Sequence, residues 1–308
     1  MSENNIIVVG IFVVDLAFVA SKLPLPGETI IGDNYIIGPG GKGSNQSVAI
    51  SRSGGKASLI ARIGDDQFGE VGRNLYQKEN VYTEGLILAK GEKTGSAAIS
   101  IDKNGMNSII VVPGAASGLK KSMIDEKLHL FRKSSIMVTG FEVPLDIASY
   151  CLKKAKSKGL ITILNPAPYF DIDNTNFKLV DYLTPNEHEA SSLTKIEIQN
   201  IDDARFAGRR ICELGVGTSI ITMGEKGVLC TANSDDHDGL YIPSYKLKEK
   251  VIDTVGAGDV FNGALATAIS EDMGLEDALN FANKAASLSV RKSGAALSAP
   301  FREEINQV

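Results

Sequence analysis

The stretch Asp253-Thr254-Val255-Gly256-Ala257-Gly258-Asp259-Val260-Phe261 holds the residues best suited to chemistry. Gly256, Ala257 and Gly258 stand just ahead of a helical pattern with apolar positions at Val260, Phe261, Ala264, Leu265, Ala268 and Ile269. Small residues at a helix start leave backbone N–H groups without intrahelical partners and bare of side chains, and the helix dipole adds positive potential. Such a start suits a phosphate or a developing anion. Asp259 falls in the same turn. A carboxylate beside an anion hole can take the proton of an alcohol while a phosphoryl group is transferred to it. On its own the stretch is equally well explained as a glycine turn with an acidic helix start, because Asp is favoured there anyway. The choice depends on what else the chain brings to the same place.

Short apolar runs at residues 6–9, 57–63, 136–139, 160–164, 182–183 and 219–222 read as strands, with a hairpin-like run at 227–232. Helical patterns cover about 45–53, 144–158, 202–214 and 278–290. Strands alternating with helices imply a mostly parallel sheet covered on both faces. Two early segments, about 11–42 and 93–112, do not fit that layer and read together as a small β lid. Within this region 30–37 is expected to be a strand, while 11–20 shows no regular pattern. Residues 83–89, 95–102 and 107–112 read as a meander, turned at Asn104-Gly105.

Open α/β sheets bind ligands at the carboxyl ends of their strands. Polar or Gly-rich residues follow the strands repeatedly: Asp15, Glu142, Asn165-Pro166-Ala167-Pro168, Thr184-Pro185-Asn186-Glu187 and Met223-Gly224-Glu225-Lys226-Gly227. Five such stretches facing one edge are more than turn chemistry explains. Gly40-Gly41-Lys42-Gly43-Ser44 looks like a phosphate-binding P-loop but lacks its G-x-x-x-x-G-K-[ST] spacing. Gly256-Ala257-Gly258 lacks the third glycine of G-x-G-x-x-G.

The 308 residues allow one large α/β domain or two smaller ones. A composition 43% hydrophobic and 22% charged is that of a soluble globular chain with a sizeable core. Net charge −5 and a pI near 5.4 argue against a nucleic-acid partner. The start MSENNIIVVG has no cationic, apolar leader pattern, and no apolar run nears the ~20 residues that span a bilayer. Cys151, Cys212 and Cys230 lie far apart, which suits buried thiols in a reducing cytoplasm. His129, His188 and His237 show no ligand spacing, which argues against a structural metal, and His188 reads as a surface residue.

G-G-K-G-S-N-Q at 40–46, N-P-A-P at 165–168, T-P-N-E-x-E at 184–189 and D-T-V-G-A-G-D at 253–259 follow one another across nearly the whole chain, with Arg302-Glu303-Glu304 at its end. In these motifs the sequence resembles the ribokinase family of sugar kinases. The resemblance implies one three-layer αβα domain over 1–308, with a mostly parallel central sheet and a small β-sheet lid, paired through the lid as a homodimer. It implies Asp259 as the base, and Gly256, Ala257 and Gly258 as the anion hole for the γ-phosphate of ATP. Asp15, Gly41, Lys42, Asn45 and Glu142 match sugar contacts. Carboxylates and amides can each hold two vicinal hydroxyls.

Asn186 and Glu189 match the motif that orients Mg²⁺ and phosphates through water. Thr222, Gly224, Lys226 and Gly227 resemble the nucleotide loop, with Gly258 also at the nucleotide and Asn283 at the adenine. The resemblance further implies K⁺ behind the anion hole, at Asp253 and the backbone of Val255, Ser289, Lys292, Gly294 and Ser298. One departure concerns the substrate. Ribokinases show G-S-x-N-x-D after the first strand, and here Val13 stands at the Asn position. Val cannot pair with a hydroxyl, and deoxyribokinases are similar in having an apolar residue there. The implied activity is ATP-dependent phosphorylation of the 5-hydroxyl of a pentose, ribose foremost. The alternatives are 2-deoxyribose or another furanose, and a non-catalytic sugar or nucleotide sensor, which would have no need for a base.

Overall fold

The computed structural model describes residues 5–170, 174–233, 239–247 and 249–308, and His237 lies outside them. The first half runs β1 (Asn5–Val9), β2 (Val13–Val19), β3 (Asn34–Gly40), α1 (Lys42–Arg52), β4 (Lys56–Gly64), α2 (Gln67–Lys78), β5 (Leu86–Ala89), β6 (Thr94–Ile101) and β7 (Asn107–Gly114). Then come α3 (Lys121–Asp125), α4 (Leu128–Arg132), β8 (Ser134–Gly140), α5 (Leu145–Ser157), β9 (Ile161–Asn165), β10 (Tyr182–Leu183), α6 (Glu187–Thr194) and α7 (Ile201–Glu213). The chain closes with β11 (Thr218–Thr222), β12 (Val228–Ala232), β13 (Leu240–Ile242), α8 (Ala257–Ser270), α9 (Leu275–Ser289) and α10 (Arg302–Asn306).

β1 is apolar throughout because both of its faces are covered. Ile7 and Val9 pack with Ile147 and Leu152 of α5 and Ile211 of α7. Ile6 and Val8 pack on the other face with Val48 and Ile50 of α1, Tyr76 of α2 and Ala266 of α8. Farther along the sheet, α8 and α9 cover Ile220 of β11 and Val228 of β12. These are the two helical layers of the expected αβα arrangement. Among the described residues the central sheet has nine strands in the order β13-β12-β11-β10-β9-β8-β1-β4-β5. All neighbours are parallel except β11-β12 and β12-β13. The chain winds outward from β1 in both directions, so the gap beyond the carboxyl ends of β1 and β8 is a topological switch point, where such sheets bind ligands.

A second sheet orders four strands as β3-β2-β6-β7. Residues 11–20, which show no clear pattern in the sequence, supply β2, and its mixed burial explains why no two-residue alternation is visible. The strand expected at 30–37 begins only at Asn34. The meander is corrected as well. Only β6 and β7 form its antiparallel pair, whereas β5 joins the central sheet parallel to β4, where Leu86 packs against the core.

Helix α1 starts at Lys42, three residues before the expected position. Its glycine-rich entry is dictated by close approach. A Cβ on either Gly10 or Gly43 would sit 2.5 Å from the Cα of the other, so β1 and α1 meet backbone to backbone.

Candidate active site

Gly256 caps α8 with φ 78°, and Ala257 and Gly258 are its first helical residues. A Cβ on Gly256 would lie 2.7 Å from the Cα of Ala295, so both the left-handed backbone and the close approach require glycine. The N–H groups of Gly256, Gly258 and Asp259 have no acceptor among the described residues, and that of Ala257 makes a long 3.3 Å bond to Thr254 O. A Cβ on Gly258 would meet nothing within 4 Å. The mouth of the helix is therefore open, with its donors facing outward.

Asp259 sits in the first turn and is 4% exposed. Its Oδ2 accepts from Asn45 Nδ2 at 2.8 Å and its Oδ1 from Gln46 Nε2 at 3.2 Å. Burial pushes its carboxyl above the ordinary aspartate range, opposed by the Lys42 cation and the two amides. A carboxylate held above its usual pKa is a better proton acceptor.

Beside it lies a pocket at the switch point, lined by Val9 and Gly10 at the carboxyl end of β1, Gly140 and Glu142 at that of β8, and Lys42 and Gln46 of α1. The early start of α1 aims the Lys42 N–H at Glu142 Oε2, 2.7 Å away. Burial raises Glu142 to about 7, against the pull of Lys42. Asp15 on β2 rises to about 6 through burial and then through repulsion by Asp259. Its carboxylate lies against Gly40, where a Cβ would be only 2.3 Å from Oδ1. The Lys42 ammonium is held charged first by Asp259, then by Glu142 and Glu189, against the cost of its burial. Asp15, Lys42, Asn45, Glu142 and Asp259 are thus brought around one space, with Gly41 at the N-cap of α1.

Asn186 and Glu189 form a capping box on α6: Asn186 Oδ1 accepts from the Glu189 N–H at 2.8 Å, and Glu189 Oε2 from the Asn186 N–H at 2.9 Å. A β-bridge joins Asn186 to Thr222, which sets the turn Gly224–Lys226 and Gly227 beside it. Lys226 Nζ is engaged by Glu187 Oε1 at 2.9 Å and by Gln199 O. Asn283 Nδ2 donates to Pro243 O at 2.7 Å. No cluster of three or more His, Cys, Asp or Glu is poised to cage a metal among the described residues.

Asp253 joins two loops. Its Oδ1 accepts from the Val255 N–H at 2.9 Å and its Oδ2 from the Gly294 N–H at 3.0 Å. The Ser289 and Ser298 hydroxyls bond locally to Ala286 O and Ala295 O. Lys292 is exposed and paired with Glu304.

Val13 shares a face of β2 with Asp15, two residues on, and is 4% exposed. A Cβ on Gly95 would stand 2.9 Å from Val13 Cγ1, so Val13 fills the space that this glycine leaves. Gln46 is the site residue that sequence reasoning passes over. Its signal was its place next to Asn45 in G-G-K-G-S-N-Q, but nothing local marks which amide reaches a residue on a distant helix. His188 is exposed, and Cys151, Cys212 and Cys230 are buried and not disulfide-bonded. Among the described residues no helix is long and apolar enough to cross a membrane.

Comparison with known proteins agrees with this architecture. Residues 3–302 match the pfkB family of carbohydrate kinases. A ribokinase of Haemophilus influenzae is 36% identical over 91% of this chain and 90% of its own. A deoxyribokinase of Salmonella typhi is 30% identical over 98% of each chain. The structure of Arabidopsis thaliana ribokinase complexed with ribose and ATP superposes with a TM-score of 0.91 at 29% identity, covering 98% of this chain and 97% of that one. An aspartate under an open helix mouth, beside a polar pocket at the switch point of a three-layer sheet, is thus carried by a chain that belongs to the pfkB family of carbohydrate kinases.

Proposed function

We propose that the protein transfers the γ-phosphoryl group of ATP to the 5-hydroxyl of a pentose, D-ribose foremost. The observation that carries this reading is the buried Asp259 carboxylate in the first turn of α8, one residue from the open N-terminus at Gly258. Asp15, Lys42, Asn45 and Glu142 hold the ring hydroxyls, and Gly41 lets the ring lie against the backbone. Asp259 takes the 5-hydroxyl proton as that oxygen bonds to the γ-phosphorus and the bond to the ADP oxygen breaks. The amides at 256–258 receive the charge of the phosphoryl group in transit. Thr222, Gly224, Lys226, Gly227 and Asn283 hold the nucleotide.

The fit for Mg²⁺ is one of orientation. One carboxylate (Glu189) and one amide (Asn186), both tied into a helix cap, suit a hydrated ion. Mg²⁺ bound there would neutralise phosphate charge. For K⁺, Asp253 ties Val255 to Gly294, and the carboxylate with the carbonyls of Val255, Ser289 at the end of α9, Lys292, Gly294 and Ser298 offers hard oxygen donors of the kind that suits such an ion. K⁺ would add positive charge behind the helix mouth.

A coupled assay of ADP release over a panel of sugars, with and without K⁺, tests the reading. Turnover is expected with ribose, and no ADP release with any sugar would leave the sensor alternative standing. Val13 favours 2-deoxyribose as a second substrate, and the Salmonella relative supports it. In that case Val13→Asn raises the ratio of kcat/KM for ribose over 2-deoxyribose, and an unchanged ratio removes position 13 as the selector.

The 308 residues are read as one catalytic unit, with the four-stranded sheet as lid. Phe18, Tyr35, Ile37 and Ile110 on that sheet are 49%, 65%, 55% and 67% exposed, an apolar patch that supports a homodimer through the lid. The three buried thiols support a reducing, cytoplasmic setting.

A further inference from the structure

Gln46 is 2% exposed and donates Nε2–H to Asp259 Oδ1 at 3.2 Å. Asn45, its neighbour, donates to Oδ2 at 2.8 Å. Two consecutive amides bracket one carboxylate, but they are not equivalent. Asn45 keeps its own Oδ1 buried and without a partner. A buried acceptor of this kind calls for a donor. Gln46 itself lines the pocket, so the hold on Asp259 Oδ1 lies at the pocket wall, while the Asn45 amide keeps an oxygen in reserve for an incoming hydroxyl.

Gln46 is held by the backbone beneath it. A Cβ on Gly263 would stand 2.6 Å from Ala49 Cβ and 2.8 Å from the Gln46 carbonyl oxygen, so α8 packs against α1 here with only the Ala49 methyl between them. The distance between Gln46 and Asp259 is therefore set by helix packing and not by a flexible loop.

The geometry points to Gln46 as the positioning residue of the base: it pins Asp259 Oδ1 so that Oδ2 faces the acceptor hydroxyl once Asn45 turns to the sugar. The inference rests on the reading of Asp259 as base. The other charged groups that act on Asp259 are Lys42 on α1, Asp15 on β2, Glu142 after β8 and Glu189 on α6. None of them donates a hydrogen bond to Oδ1 among the described residues, so the hold on that oxygen belongs to Gln46.

The test uses the full-length protein with D-ribose and ATP, and compares pH profiles of kcat for the native chain, Gln46→Met, Gln46→Glu and Asp259→Asn. Gln46→Met keeps the side-chain length and removes the donor. It is expected to lower kcat about 10-fold, leave KM for ribose within about 2-fold, and move the acid limb up by about one pH unit, because the charged carboxylate loses a donor. Gln46→Glu keeps the native shape and sets a second carboxylate against Oδ1, so its acid limb moves higher still. An acid limb at the native position in either folded variant overturns the positioning role even where kcat falls, since a packing defect changes rate without moving that limb. If Gln46→Met does not fold, Gln46→Glu decides by the same readout. Asp259→Asn separates the two levels of the argument: near-native turnover in it removes the base itself, whereas its loss alongside an unmoved Gln46 profile removes only the role of Gln46.

Discussion

Asn45 Nδ2 stands 2.8 Å from Asp259 Oδ2, a buried hydrogen bond that joins the glycine-rich entry of α1 to the anion-facing end of α8. The bond places the candidate base and a candidate sugar ligand in direct contact, with the Asn45 Oδ1 left over for a hydroxyl.

Asp259→Asn is expected to lower kcat by about 10²–10⁴-fold, the range for removing a general base. Sugar affinity by calorimetry should stay within a few-fold, because Asp15, Lys42, Asn45 and Glu142 remain. Near-native turnover would refute the assignment.

The two glycines of the helix mouth should separate fold from function. Gly256→Ala must push against Ala295 from a left-handed backbone, so it should lower both Tm and kcat. At Gly258 a Cβ meets nothing within 4 Å. Gly258→Ala should therefore keep the native Tm, because Ala is the better helix former, while its methyl intrudes on the phosphoryl space and lowers kcat. A melting curve beside a single-turnover assay distinguishes the two, and equal loss of Tm in both variants would contradict this.

Carboxylates crowded into the pocket make the ligand-free protein sensitive to pH. Asp15 at about 6 and Glu142 at about 7 bind protons more tightly when folded than their ordinary values of 3.8 and 4.5. Their neutral forms favour the fold. That contribution is complete below the unfolded values and is lost as pH rises through about 6 and 7. Asp15→Asn and Glu142→Gln should therefore raise the Tm of the ligand-free protein at pH 8, by roughly a few degrees. Below about pH 4 the gain should vanish, since the native carboxyls are then neutral in both folded and unfolded states. Thermal scans across that range check the sign.

Arg52 and Glu79 form a bidentate ion pair with side chains 10% and 4% exposed. The same guanidinium donates to the carbonyls of Leu297 and Ala299. Glu79→Leu leaves a buried cation and should cost about 3–5 kcal/mol by urea unfolding. Adding Arg52→Met should recover part of that loss, because removing both charges avoids the unpaired one. Strictly additive losses would show that the pair acts independently.

The apolar face of the lid predicts self-association. Ile110→Glu, a change at a position 67% exposed, should leave the fold intact and shift sedimentation toward a slower species. No change in sedimentation would remove Ile110 from any interface.

The αβα layering was legible because strands buried on both faces read as unbroken apolar runs, such as Ile6 to Val9. Asp259 and the glycines before it were legible because an open helix mouth requires small residues at a fixed offset. Gln46 was not, because its partner lies on a helix whose approach depends on Gly263 packing against α1. β5 was misassigned to the meander for a similar reason: a four-residue strand carries too little pattern to show which sheet it edges. Residues 11–20 hid a strand because a lid strand is wetted unevenly on its two faces.

The Asn45–Asp259 contact spans 214 positions, and the candidate base arrives on the eighth of the helices described above. During synthesis the first helix, with its amide donors, leaves the ribosome long before the carboxylate does. β1, α1 and β4 emerge early, whereas the candidate base follows only after most of the chain. A chain ended before α8 would lack the candidate base and the open helix mouth together.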